Sequence, residues 1–257
     1  PEPGTPINYG AGLGSLSRVT IENMQEQYQE FILSKAQKPV AQSEHPGRIG
    51  TVVVAPGPGM TSVFESLGAS SVVSGGQTMN PSTEELLHAV ERVPSNDVIV
   101  LPNNKNIILA AEQTKELSEK NIEVVPTISV PQGIAAILAL NYQADIKANA
   151  RIMAEAAESI ETIEITRAVR SVQINGMSVE EGEVIGLING TLKLKGTAAT
   201  EVALDALGEV QAEDYEIITI YYGEMVTHDQ AEQLSAKISE RYPEQETEVI
   251  DLSLIHI

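Results

Sequence analysis

The stretch RIGTVVVAPGPGM, residues 48–60, carries a short, continuous β-branched run, Thr51 to Val54, closed by alternating prolines and glycines. A strand with one face in water alternates apolar and polar residues. A strand covered by helices on both faces has no reason to alternate and reads as an unbroken apolar run, which is the mark of a parallel sheet. Three more such runs follow: SSVV (70–73), DVIVLP (97–102) and IEVVPT (122–127). Between them the spacing predicts helices over Thr61–Leu67, over Ser82–Arg92, after NNKN to about Lys120, and from about Gln132. Ser82 is placed to cap its helix, and Glu85 three residues on completes a capping box. Strands alternating with helices indicate a parallel α/β lobe.

Past residue 144 the pattern changes. An Ala- and Glu-rich segment over 145–162 reads as one connecting helix. IEITRAVRSVQING (163–176) and GEVIGLINGTLKLKG (182–196) alternate as half-buried strands do, with Asn-Gly at 175–176 and 189–190 as hairpin turns. A helix over 197–207, a strand over 215–223, a helix over 228–242 and a strand over 246–252 follow. The expected fold is therefore α/β in two subdomains: a parallel α/β lobe over 48–144 and a mixed α/β lobe over 163–251. Ahead of them, 34–47 is polar, holds two prolines and reads as a linker. Residues 1–33 are rich in Gly and Pro and then take a partly helical spacing. The chain opens on Pro1, which suggests that the native N-terminus lies further upstream. Its last six residues, Leu252 to Ile257, match one reading frame of a DNA-library adapter and are expected to be non-native.

Composition narrows the function. The 257 residues hold no Cys and no Trp, so disulfides and thiolate metal sites are out, and aliphatic side chains must fill the core. No apolar run reaches the roughly 18–20 residues that a bilayer-spanning helix needs. No signal-peptide pattern opens the chain, and a cytoplasmic location is expected. The net charge is −20, and residues 201–251 carry fourteen acidic against two basic residues. Such a surface repels nucleic acid and anionic membranes and attracts a basic protein. Glu201, Asp205 and Glu209 stand at i, i+4 and i+8, a spacing at which like charges cost helix stability. With Glu213 and Asp214 they are the candidate docking surface.

Ligands of a parallel sheet sit outside the carboxyl ends of its strands. The loops there carry a candidate anion site. Ser74-Gly75-Gly76-Gln77-Thr78 offers backbone N–H groups, two hydroxyls and a following helix N-terminus, with Asn80 beyond. Asn103, Asn104 and Lys105 add uncharged donors and one cation, and Thr127 and Gln132 complete the set. Tight turns and helix capping by Asn account for the same residues without a ligand. No histidine stands in these loops, and acidic residues are not grouped at metal-ligand spacing. Neither a catalytic residue nor a metal site is assigned.

Together VVSGGQTMNPSTEELL, VLPNNKNIILAAEQ and VVPTISVPQGIAAILA resemble the C-terminal region of bacterial fatty acid kinase, the dihydroxyacetone-kinase-like subunit of a two-component enzyme. YGAGLGSLSRVTIENMQEQ resembles the end of that family's central domain, which would make residues 1–33 its tail. The resemblance implies a fold like that of DegV-type fatty-acid-binding proteins. It implies a parent protein with an N-terminal ATP-binding domain and a dimerising central domain. ATP and Mg²⁺ would be bound in that N-terminal domain, and no cofactor is expected in this stretch. The implied partner is a basic, DegV-like fatty-acid-binding protein, docked for acyl-phosphate formation. Two alternatives differ in class: a lipid-binding domain that holds a fatty acid carboxylate at 74–78, and a phosphatase or hydrolase, for which no nucleophile–base pair is evident.

Overall fold

The computed structural model describes residues 49–76, 80–174, 177–223 and 226–252. All of them fall in the second of the two units into which the chain divides, His45–Ile257. The expected linker, the segment before it, Gln77, Thr78, the Asn175-Gly176 turn and residues 253–257 lie outside the described residues.

The first part is built from β1 (Gly50–Ala55), α1 (Gly57–Ser66), β2 (Ser71–Ser74), α2 (Thr83–Arg92), β3 (Asp97–Leu101), α3 (Lys105–Leu117), β4 (Asn121–Val124), α4 (Val130–Leu138) and α5 (Ile146–Glu158). The four strands form one parallel sheet in the order β2-β1-β3-β4. Every residue of β1 is buried, as its unbroken run requires. Successive residues of β1 and β3 feed two separate cores. Val53, Ala55, Ile99 and Leu101 face Met60 and Phe64 of α1, Ala136 and Ile137 of α4 and Met153 of α5. Val52, Val54, Val98 and Val100 face Leu86 and Val90 of α2 and Ile107 and Ala111 of α3. Each fully buried branched side chain of this kind contributes about 1.5–3 kcal/mol of burial free energy.

Helix α1 begins at Gly57, four residues ahead of the expected Thr61. Pro58 stands in its first turn, where the missing N–H is no loss and the fixed φ suits the helix. What reads as a turn signal is therefore a helix start. Gly59 has a different task. A Cβ there would lie 2.2 Å from the carbonyl oxygen of Leu252, so only glycine lets the end of the last strand cross α1.

The second part comprises β5 (Ile163–Arg167), β6 (Val172–Ile174), β7 (Met177–Val179), β8 (Val184–Ile188), β9 (Thr191–Gly196), α6 (Ala199–Glu209), a 3-10 turn at Ala212–Asp214, β10 (Ile217–Tyr222), α7 (His228–Arg241) and β11 (Glu246–Asp251). Strands β5-β8-β9 are antiparallel, with Asn189 and Gly190 at positive φ in the β8–β9 turn. The alternation across 163–176 breaks at 168–171, so β6 leaves that sheet and pairs only with β7. Strands β10 and β11 are parallel, joined through α7, and pack Ile218 and Ile220 on Leu207, Ile238 and Tyr242. Tyr221 and Leu252 pack against the α1/α4/α5 core, which ties the two parts together. Among the described residues no helix is long and apolar enough to cross a membrane.

Candidate functional site

At the carboxyl ends of β1 and β3 the chain leaves the sheet to opposite faces, α1 on one side and α3 on the other. This is the switch point at which open parallel sheets hold ligands. The candidate loops meet around it. Gly75 is buried and donates its N–H to the carbonyl of Ala55 at 3.0 Å, continuing the ladder of β1 and β2. Gly76 lies against Pro56, where a Cβ would come 3.0 Å from the ring. Ser74 and Asn80 are exposed at the rim.

Asn103 is buried and has φ 52°. That turn takes its N–H off the β1–β3 ladder and onto the Thr127 hydroxyl, 3.0 Å away. Its side-chain Nδ2 donates instead to the carbonyl of Val54 at 2.9 Å. Thr127 is itself fully buried. Asn104 caps α3, its Oδ1 accepting from the Asn106 N–H at 2.9 Å. Lys105 opens that helix and is exposed, at an end where the dipole disfavours a cation. Gln132 turns back on its own loop, its Oε1 accepting from the Ile128 N–H at 2.9 Å. Ser129 caps α4 and meets Thr162, ahead of β5, through their hydroxyls at 2.7 Å. Thr162 in turn donates its N–H to Asn189 Oδ1 in the β8–β9 turn at 3.1 Å. The structure thus brings Asn103, Thr127, Ser129 and Gly133 together, spends their donors internally, and leaves Ser74, Asn80 and Lys105 on the outside. Ser129 and Gly133 fall in the 127–133 loop that the sequence marks as a candidate, without being singled out in it, and Thr162 lies outside every candidate loop, because nothing local marks a hydroxyl or a glycine for a contact some thirty residues away.

The acidic candidates form a second surface. Val202, Ala203, Ala206 and Leu207 turn one side of α6 into the protein, and Glu201, Asp205 and Glu209 stand exposed on the other. Glu213 and Asp214 are exposed in the 3-10 turn that follows. Among the described residues none of the five enters an ion pair. Arg241 lies beside Gly208 and stacks over the Tyr242 ring, 5.7 Å from its centroid.

A third grouping sits where β10 and β11 end and α7 begins. The buried Tyr222 hydroxyl bonds both the Asp251 carboxylate and His228 Nδ1, the latter at 3.1 Å. A carboxylate only accepts, so the tyrosine proton points at Asp251 and His228 Nδ1–H donates to the phenol oxygen. Burial, then the hydrogen bond and charge of Asp251 and the charge of Glu232, push the phenol pKa up. A hydroxyl held this way is not an activated nucleophile. Among the described residues no group of three or more His, Asp or Glu is arranged to hold a metal ion.

Comparison with known proteins places this geometry. Residues 50–252 match the FakA-like C-terminal family, the C-terminal domain of proteins like the fatty acid kinase component FakA. Protein YloV of Bacillus subtilis (strain 168) is 40% identical over 250 residues, which cover 96% of this chain and 45% of that protein. An uncharacterized protein of Staphylococcus aureus (strain USA300) is 33% identical over 247 residues, again 96% of this chain and 45% of the relative. The chain thus spans about half the length of these curated relatives. Among solved structures, DegV of Bacillus subtilis, described as a fatty acid binding protein, superposes with a TM-score of 0.55 at 13% identity, over 80% of this chain and 92% of its own. The Streptococcus pneumoniae fatty acid kinase B3 protein, loaded with linoleic acid, gives 0.52 at 11% identity, over 80% and 93%. Identities that low speak for a shared fold.

Proposed function

We propose, from the premise that this chain belongs to the FakA-like C-terminal family of fatty acid kinases, that it is the module through which such a kinase docks a basic fatty-acid-binding protein. The observation that carries the reading is the exposed acidic stripe of α6, Glu201, Asp205 and Glu209, extended by Glu213 and Asp214 and without ion pairs among the described residues. Like charges at that spacing weaken a helix. A partner that brings Lys or Arg to the stripe removes the penalty and gains both speed and orientation of encounter. Internal use of the polar groups at the switch point supports docking over retention of a lipid by this chain.

In this reading ATP and Mg²⁺ are handled by the part of the longer protein that the chain does not span. There the bond between the γ-phosphorus and its bridging oxygen breaks, a carboxylate oxygen of the partner-held fatty acid bonds the phosphorus, and ADP leaves. The contribution of the present residues is to hold the carrier in place, a positioning effect. The test is binding of a fatty-acid-binding partner of the DegV type to the chain and to a Glu201→Gln, Asp205→Asn, Glu209→Gln variant. The reading expects slower association and weaker binding of the variant, with circular dichroism unchanged. Equal binding by both proteins contradicts it.

A further inference from the structure

Asn103 is a polar residue that the structure leaves half satisfied. Because Val54 offers a carbonyl, which only accepts, Nδ2 must face it, and the direction of the carboxamide is fixed. Oδ1 therefore points the other way, and it has no hydrogen-bond partner among the described residues. The residue is 8% exposed, so water does not serve that oxygen from outside. It lies over Gly133, in the first turn of α4. A Cβ on that glycine would come 2.1 Å from Oδ1 and 2.5 Å from Cγ, so the carboxamide rests on bare backbone. The Gly133 N–H gives it nothing, being committed to the Ser129 carbonyl at 3.1 Å.

Two physical facts define the spot. It lies at the carboxyl ends of β1 and β3, the side on which a sheet of this topology takes its ligand. It also adjoins a helix N-terminus, which favours a negatively charged oxygen. A carboxamide has the planar shape and size of a carboxylate, and here its oxygen occupies the end nearest that helix. We propose that Asn103 is a built-in stopper: its carboxamide fills the position that the carboxylate head of a ligand would take and closes the parallel lobe to such a ligand. Nδ2 ties the stopper to the sheet, Thr127 holds its backbone in the left-handed turn, and Gly133 makes the seat. The inference stands apart from the docking reading, since a closed crevice is compatible with any partner on α6.

The experiment uses the full 257-residue chain. Asn103→Ala removes the stopper and leaves a hole of carboxylate size. Small ligands refill holes of matching shape and stabilise the folded state when they do. The proposal expects a lower Tm for Asn103→Ala, raised again by sodium acetate relative to sodium chloride of equal concentration, with no such difference for the unmodified chain. Acetate that shifts both proteins equally, or neither, overturns it. A second readout covers a variant that folds poorly. Gly133→Ala alone loses stability because its methyl group meets the carboxamide, and adding Asn103→Ala restores part of the loss. Strictly additive losses in the double variant overturn the seating of Asn103 on Gly133 and with it the stopper.

Discussion

Asn103 and Gly133 show what one pair of residues decides here. An orphaned buried acceptor costs on the order of 1–3 kcal/mol, and Asn tolerates the left-handed backbone that puts it there. Gly133→Ala is expected to lower stability by about 1–3 kcal/mol, the usual cost of overpacking, measured by urea unfolding. Nothing in the sequence foretells the pair, since it joins a loop to a helix thirty positions on. The capping box of α2 is the opposite. Ser82 and Glu85 are readable from spacing alone, and both bonds are present, at 3.2 Å from the Glu85 N–H to Ser82 Oγ and 2.7 Å from the Ser82 N–H to Glu85 Oε2. Those bonds from the Ser82 backbone and hydroxyl hold the Glu85 pKa below its ordinary value of 4.5. A depressed carboxylate contributes stability that is present above 4.5 and lost as pH falls through the folded-state value. Glu85→Gln keeps the acceptor without the titration. Its unfolding free energy, compared with that of the unmodified chain, should be lower near neutral pH, and the gap should close as pH falls from 4.5 through the depressed folded-state pKa.

Elements were legible where their periodicity was strong and local. The four parallel strands, the long helix after 145 and the β10-α7-β11 unit all lie where apolar spacing puts them. Helix α1 starts early because Pro and Gly serve a first turn as readily as a loop. The β6–β7 hairpin separates from the neighbouring sheet because Ala168 to Ser171 interrupt the alternation, with Val169 87% exposed. The joint between α4 and α5 was invisible. It rests on Asn149, fully buried in α5, whose Nδ2 donates to the carbonyls of Asn141, Ala144 and Asp145 while Oδ1 accepts from the Asn141 N–H at 2.7 Å. A helical Asn reads as a solvated residue, yet this one closes the loop of residues 139–145. Asn149→Ala should cost about 2–4 kcal/mol, because it strands buried backbone groups as well as opening a hole, and a lowered urea midpoint at unchanged slope checks it. Lys120 plays a similar part at the end of α2, its ammonium donating to the carbonyls of Val90, Glu91 and Val93. Lys120→Met should loosen the helix end by about 1 kcal/mol, seen as faster amide exchange there.

At the scale of the whole molecule, two lobes of different sheet type share a packed contact through Tyr221, Leu252 and Gly59, and the charge is gathered in the second. Both the architecture and the charge bias could be read from the sequence. The exposure of Glu201, Asp205 and Glu209 could be anticipated from their spacing, because residues four apart share a helix face. The seating of Asn103 between Val54, Thr127 and Gly133 could not, since it follows from contacts between segments far apart in the chain. The acidic surface is the feature on which the proposed docking role rests. Surface electrostatics of this kind is screened within about 8–10 Å at physiological salt, so docking through it has a direct physical signature. The measurement is calorimetric titration of a basic fatty-acid-binding partner into the chain at about 0.05 and about 0.5 M salt. The account predicts that affinity falls by roughly tenfold or more with salt, and that neutralising the α6 stripe removes most of that dependence. Binding of equal strength at both salt concentrations would contradict it.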